Sequence, residues 1–254
     1  MDRFLDKVAL VTGGSSGIGA EIARGRLAEG SHVVVVGRHH ETFDRLQNSD
    51  RPLTGQIEFV AADVARSDDV SDVFAAIKTR HRRLDYAVNS AGIFDRSRSF
   101  HEYGDTEWDA IIDANVTGVF KCMRAELAMM IDNGGSIVNI ASVVASRGSL
   151  RASPAYVAAK HAVLGLTRQA AVEYAARGIR VNAVSPGPTL TSMAQPLISE
   201  GVANTSEVVN ALNPTARFVN AESVASTVMF LLSSHTEHIN GAEIVIDDGQ
   251  TARL

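Results

Sequence analysis

Short apolar runs, several of them dominated by β-branched residues, recur along the chain and are separated by amphipathic stretches. The runs are KVALVT (7–12), HVVVVG (32–37), IEFVA (57–61), LDYAVNSAG (84–92), SIVNIAS (136–142), IRVNAV (179–184) and AEIVID (242–247). Most are continuously apolar rather than alternating, which is what strands covered on both faces require. Helix-like segments lie between them: AEIARGRLAEG after the first run, then stretches near 41–48 and 67–80, a long one over 105–132, SPAYVAAKHAVLGLTRQAAVEYAARG, and one near 221–233. Residues 188–216 interrupt the rhythm with an irregular segment containing proline.

Repeated β-α units predict a parallel sheet with helices on both faces, and right-handed crossovers leave little choice beyond a Rossmann-type doubly wound fold of seven strands. No linker or composition shift divides the chain, so its 254 residues are read as one α/β domain spanning 1–254. The formal net charge of −5 gives no basic footprint, which argues against nucleic acid as a partner. The apolar stretches fall well short of the ~20 residues that span a bilayer, and MDRFLDKVALVTGG has no cleavage-site pattern, so no membrane association and a cytoplasmic location are expected. Cys122 is the single cysteine, so no intrachain disulfide is possible. His235 and His238 have ligand-like spacing, but no carboxylate or cysteine pattern completes a site, and no metal is expected.

In such a sheet ligands bind at the carboxyl ends of the strands. The first run leads directly into Gly13, Gly14, Ser15, Ser16, Gly17, Ile18 and Gly19, and then into a helix. Glycines let the backbone approach a pyrophosphate, and a helix N-terminus offers it free N–H groups and a positive dipole end. Other strand ends deliver Gly37 and Arg38, Asp63 and Val64, Asn89 to Gly92, Ser142, and Pro186 with Gly187. Polar and glycine-rich groups thus gather on one edge.

Tyr156 and Lys160 are four residues apart in YVAAK, on one face of the predicted helix. A free phenol has a pKa of about 10. A cation about 4 Å away at an effective dielectric near 20 favours the phenolate by roughly 4 kcal/mol, or about three pKa units. Such a pairing brings a tyrosine into the range of acid–base work.

These motifs together resemble the short-chain dehydrogenase/reductase family, over essentially the whole chain. Thr12, Gly13, Gly17, Ile18 and Gly19 match its cofactor loop; Asn89-Ser90-Ala91-Gly92 resembles its N-N-A-G element; Asn115 stands in NVTG; Ser142 ends NIAS; and Pro186, Gly187 and Thr191 follow the sixth strand as in the family. The resemblance implies a NAD(P)-dependent oxidoreductase that interconverts a carbonyl and a secondary alcohol, with Asn115, Ser142, Tyr156 and Lys160 as the catalytic set. Tyr156 would be the general acid and base, Ser142 would bond the substrate oxygen, Lys160 would tune Tyr156 and bond the nicotinamide ribose, and Asn115 would hold a water linking Lys160 to solvent. The cofactor would lie against Gly13, Ser15, Ser16, Gly17, Ile18, Gly19, Arg38, Asp63, Val64, Asn89, Ala91, Gly92, Tyr156, Lys160, Pro186, Gly187, Thr189 and Thr191. Two departures stand out. Ser142 and Tyr156 are fourteen residues apart, about one more than the family pattern, and the chain reads Asp247-Asp248-Gly249 where D-G-G is usual.

Gly37 stands where an NAD-preferring site carries a carboxylate, and Arg38 follows it. A guanidinium can pair with a 2′-phosphate, so NADP is favoured over NAD, although Ser15 and Ser16 supply no further basic group. The resemblance places the substrate pocket in the segment after Gly92, in loop 143–153 and under a lid at 188–216. Ile93, Phe94, Val143, Val144, Leu150, Met193 and Leu197 are candidate walls, while Arg96, Arg98, Arg147 and Arg151 offer an anion-binding alternative. A homo-oligomer, a tetramer joined through helices 105–132 and 153–177, is also implied. Two competing functions remain: a catalytically idle or regulatory dinucleotide-binding protein of the same fold, and an isomerase or dehydratase using bound cofactor.

Overall fold

The structure, a computed structural model, describes residues 4–47, 54–95, 98–191 and 213–253. Seven parallel strands run in the order β3-β2-β1-β4-β5-β6-β7. They are β1 (Val8–Thr12), β2 (His32–Gly37), β3 (Gln56–Ala61), β4 (Tyr86–Asn89), β5 (Gly135–Ile140), β6 (Ile179–Pro186) and β7 (Glu243–Ile246). The helices are α1 (Gly17–Ala28), α2 (His40–Gln47), α3 (Ser67–Arg80), α4 (Asp105–Ile112), α5 (Gly118–Met130), α6 (Pro154–Tyr174) and α7 (Ala221–Leu232).

Side chains alternate across each strand, and both faces are apolar. Leu10 and Val34 point into one layer with Val73, Ile77, Met123, Leu127 and Val163 of α3, α5 and α6. Val11, Val33 and Val35 point into the other, with Ile22, Leu27, Val224, Val228 and Leu231 of α1 and α7. That two-sided burial explains why the strands read as unbroken apolar runs. The change of direction falls between β1 and β4, whose register pairs Leu10 with Ala87 while Leu10 also pairs with Val34 of β2. This is the topological switch point where doubly wound sheets bind ligands.

The long helix expected over 105–132 is interrupted. A π-helical turn at Asp113–Thr117 separates α4 from α5 and carries the buried Asn115. The wider turn re-aims one side chain without ending the helix. α6 starts cleanly because the Ser153 side chain accepts from the Tyr156 N–H at 3.1 Å and Pro154 takes the first turn, where a missing N–H costs nothing.

The Asp247-Asp248-Gly249 departure keeps the local turn. The Asp247 carboxylate accepts from Gly249 N at 3.0 Å and Thr251 N at 2.7 Å. Asp248 adopts φ 53°, a left-handed conformation that aspartate tolerates better than most residues, and the Thr215 hydroxyl donates to it at 2.8 Å. Of the expected lid, residues 192–212 lie outside the described residues, and with them Met193 and Leu197. Among the described residues no helix is long and apolar enough to cross a membrane.

Candidate active site

The glycine loop is built for close approach. A Cβ on Gly13, whose φ is +64°, would stand 2.8 Å from the Ala91 backbone, and one on Gly19 would stand 2.3 Å from Gly13 O. The Thr12 hydroxyl accepts from Ala91 N at 3.3 Å, tying the end of β1 to the segment after β4. Ser16 begins α1 without a side-chain cap, so its first-turn amides are left for a ligand. Gly17 lies beneath Thr191, whose Cβ would be 3.2 Å from an added methyl. Loop, β4 end and post-β6 segment therefore meet. Only backbone fits at their closest contacts, and the cradle suits a dinucleotide pyrophosphate.

The other expected cofactor residues divide into two kinds. Ser15, whose hydroxyl accepts from Thr42 at 2.9 Å, stands beside Gly37 at the end of β2, and Arg38 is exposed next to it. Thr189 donates to Gly187 O at 2.9 Å, and Gly187 N bonds Ile246 O, which holds the Pro186 turn on β7. In contrast, Asp63 turns its carboxylate to Ala65 N at 3.0 Å, and Val64 packs on Gly118. Asn89 is buried with its amide donating to Glu126 and Asn139, so its side chain serves the core while Ala91 and Gly92 line the edge.

Ser142, Tyr156 and Lys160 come together beside that edge. Ser142 follows β5, is buried, accepts from Val144 N at 3.4 Å, and lies close enough to Tyr156 to pull its phenol's pKa down. Lys160 is buried, with Nζ 5.6 Å from the Tyr156 ring centre and 2.9 Å from Ile140 O. Asn115 lies one layer behind, its amide bonding both Ile93 N and Ile93 O at 2.8 Å. Gly92 is required there, because a Cβ would stand 2.8 Å from Asn115 Oδ1.

The electrostatics differ from the sequence expectation. Burial pushes the Tyr156 phenol up to about 12, with Ser142 pulling down and Asp95 pushing further up. Burial likewise pulls Lys160 down to about 8. A site this dry penalises both charges, and Lys160 is engaged with a carbonyl rather than with the phenol oxygen. Burial thus favours the neutral phenol, the form that can donate a proton.

An apolar wall adjoins the phenol. Val143, Val144 and Ala152 are buried together, with Phe94, Tyr156 and Val157 packed against them. The Phe94 ring meets that of Tyr156 edge to face at 4.9 Å. Leu150 is 99% exposed and forms no wall. Arg98 pairs with Glu107 at 2.9 Å and Arg147 donates to Thr251 O at 2.8 Å, so two of the four candidate anion-binding arginines are engaged elsewhere. Arg151 is exposed, and Arg96 lies outside the described residues. Cys122 is buried and its thiol is pushed up by that burial. Among the described residues no three of His, Cys, Asp and Glu gather in a metal-binding cluster.

Sequence reasoning missed Asp95, Tyr103 and Ser153, which form a hydrogen-bonded group at the start of α6. Ser-Pro ahead of an apolar helix was a legible cap signal; the Asp95 contact, 58 residues away, was not.

Known proteins resemble the chain over nearly its whole length. A family model described as enoyl-(acyl carrier protein) reductase matches residues 13–251. The chain is 37% identical to 3beta-hydroxysteroid dehydrogenase of Mediterraneibacter gnavus, covering 99% of this chain and 97% of the relative. The crystal structure of levodione reductase superposes with a TM-score of 0.92 at 33% identity, over 99% of this chain and 100% of the other. ElxO with NADP bound gives 0.90 at 32% identity, over 98% and 100%.

Proposed function

The chain belongs to the short-chain dehydrogenase/reductase family and is a nicotinamide-dependent oxidoreductase of carbonyls and alcohols, and we propose that Tyr156 is its general acid and base. The observation that carries this reading is the placement of Tyr156, next to Ser142 and with Lys160 Nζ 5.6 Å from its ring, against an edge shaped for a dinucleotide.

When bound, the nicotinamide dinucleotide supplies the hydride chemistry. Gly13, Gly17, Gly19 and the α1 amides would hold its phosphates, with Thr191 closing over Gly17. On reduction the Tyr156 hydroxyl donates its proton to the substrate oxygen, and on oxidation it takes that proton back. The Ser142 hydroxyl donates a hydrogen bond to the same oxygen as negative charge develops there. Lys160 favours the phenolate once Tyr156 has given up its proton. The Asn115 side-chain amide is committed to Ile93 N and O, so it fixes the segment after Gly92 beside the site.

NADP is the preferred cofactor in this reading. Arg38 is exposed beside Gly37, where no carboxylate repels a 2′-phosphate, and the similar protein ElxO binds NADP. The substrate is a secondary alcohol or ketone on an apolar, ring-containing skeleton. The wall of Phe94, Val143, Val144 and Ala152 favours it, as does the likeness to a hydroxysteroid dehydrogenase. A homotetramer formed through α4, α5 and α6 would cover Trp108, Phe120 and Val172, which are 39%, 47% and 81% exposed. Sedimentation showing monomer alone at micromolar concentration would refute that assembly.

The test of function is turnover of NADPH or NADH with a panel of cyclic ketones, and of NADP or NAD with the matching alcohols. Carbonyl-dependent oxidation of cofactor, faster with NADPH, supports the reading. Tight cofactor binding without turnover on any member would favour the idle dinucleotide-binding alternative.

A further inference from the structure

Beside the reacting groups stands a carboxylate that the proton and hydride steps leave unused. Asp95 is half-buried on the segment after β4, three residues beyond Gly92. One of its oxygens accepts from the Ser153 hydroxyl at 2.5 Å and the other from the Tyr103 hydroxyl. Ser153 Oγ in turn accepts from the backbone N–H of Tyr156 at 3.1 Å. A chain of hydrogen bonds thus runs from Asp95 through the helix cap to the main chain of Tyr156. The neighbouring Phe94 packs on the Tyr156 ring. One short segment grips Tyr156 by backbone and by ring.

We propose that Asp95 is a positioning residue, which fixes the N-terminus of α6 under Tyr156 and whose charge sets the pH range in which the enzyme oxidises alcohols. It rests on the assignment of Tyr156 as the proton-transfer group. A fixed negative charge disfavours a phenolate nearby, and the phenol of Tyr156 is raised by burial and by Asp95 while Ser142 acts against both. Tyr103 is itself raised, by burial and then by its bond to Asp95, so it stays a donor. Among the described residues, charged side chains near the pair include Lys160 on α6, Glu107 on α4, which is paired with Arg98, and Arg147, which turns away to Thr251 O. Asp95 is therefore the charged side chain that acts on the Tyr156 phenol, in the same direction as burial and against Ser142.

The experiment is the pH profile of kcat/KM for alcohol oxidation in the wild-type enzyme and in Asp95→Asn, Asp95→Glu, Tyr103→Phe and Tyr156→Phe. Asp95→Asn removes the charge at nearly constant shape. Its rising limb moves to lower pH by on the order of one unit, the scale of a unit charge a few side chains away at an effective dielectric near 20. Asp95→Glu restores the charge and returns the limb towards wild type. Tyr103→Phe leaves the carboxylate less compensated and moves the limb the other way, by a smaller amount. A limb that stays in place in both Asp95→Asn and Tyr103→Phe, while Tyr156→Phe abolishes turnover, overturns the role of Asp95 and leaves that of Tyr156 standing. Turnover retained in Tyr156→Phe overturns both.

Discussion

Replacing Glu126 by Gln should remove a pH dependence of stability that the native chain carries. Glu126 sits on α5 with no exposed surface. Asn89 Nδ2 donates to its Oε2 at 3.0 Å and to Asn139 Oδ1 at 2.9 Å, and Asn139 donates on to Thr167 of α6 at 2.9 Å. Glu126 Oε1 and Asn89 Oδ1 have no partner in the structure. A buried network with two spare acceptors is short of a donor, and a protonated carboxyl supplies one. Burial pushes the Glu126 carboxyl up to about 8, and the Asn89 bond pulls it only partly back from there.

The folded pKa lies above the unfolded one, so the folded chain holds the extra proton between about 4.5 and 8. Stability therefore falls as pH rises through that window, is at its full value below it, and loses no more above it. A shift from 4.5 to about 8 corresponds to roughly 5 kcal/mol, an order-of-magnitude figure for one fully buried group. Gln keeps the shape and the acceptor for Asn89 but cannot ionise. Urea unfolding of both proteins from pH 5 to 9, at one protein concentration, should give curves that diverge as pH rises, with the variant gaining about 2–5 kcal/mol on wild type by the alkaline end. A difference between the two that stays constant across the range would refute the reasoning, because Glu126 would then be ionised, or neutral, in both states alike.

Other substitutions probe the cofactor edge. Arg38→Ala should weaken NADPH binding by about 1.5–3 kcal/mol and NADH binding far less; equal losses in the two dissociation constants would withdraw the NADP preference. Gly37→Asp should turn preference towards NADH, but its Cβ arrives 2.8 Å from Ser15 Oγ, so the hydroxyl has to rotate away and the gain is smaller than the charge alone implies. Gly13→Ala forces a side chain into a left-handed conformation and against the Ala91 backbone, and calorimetry should show at least ~1–2 kcal/mol of lost stability together with weakened cofactor binding. Lys160→Ala should lower both turnover and cofactor affinity, measured by steady-state kinetics and by direct titration.

The inner strands were legible because they are buried on both faces, the partly covered edge strands β3 and β7 because they too read as short apolar runs, and the helices because their apolar positions repeat with helical spacing. Boundaries moved by a residue or two, as with β6, which runs to Pro186 rather than ending at 184. Strand ends and i, i+4 spacing placed Ser142 at the sheet edge and Tyr156 with Lys160 on one helix face, and the family resemblance joined the three into one site. What was not legible depended on contacts between distant residues. The π turn carries Asn115 to its bonds with Ile93, and the role of Asn89 comes from a partner on α5. The direction of the Tyr156 shift was illegible for a similar reason: spacing places Lys160 nearby but says nothing of how dry the site is, and burial is the largest influence on both groups.

The most direct test of Tyr156 as the proton donor is Tyr156→Phe, assayed for carbonyl reduction and for NADPH affinity in the same preparation. The ring and its contact with Phe94 are kept, and only the phenolic oxygen is lost. The account predicts a fall in kcat of roughly 10²–10⁴-fold with little change in the NADPH dissociation constant. Near-wild-type turnover with bound cofactor would contradict it.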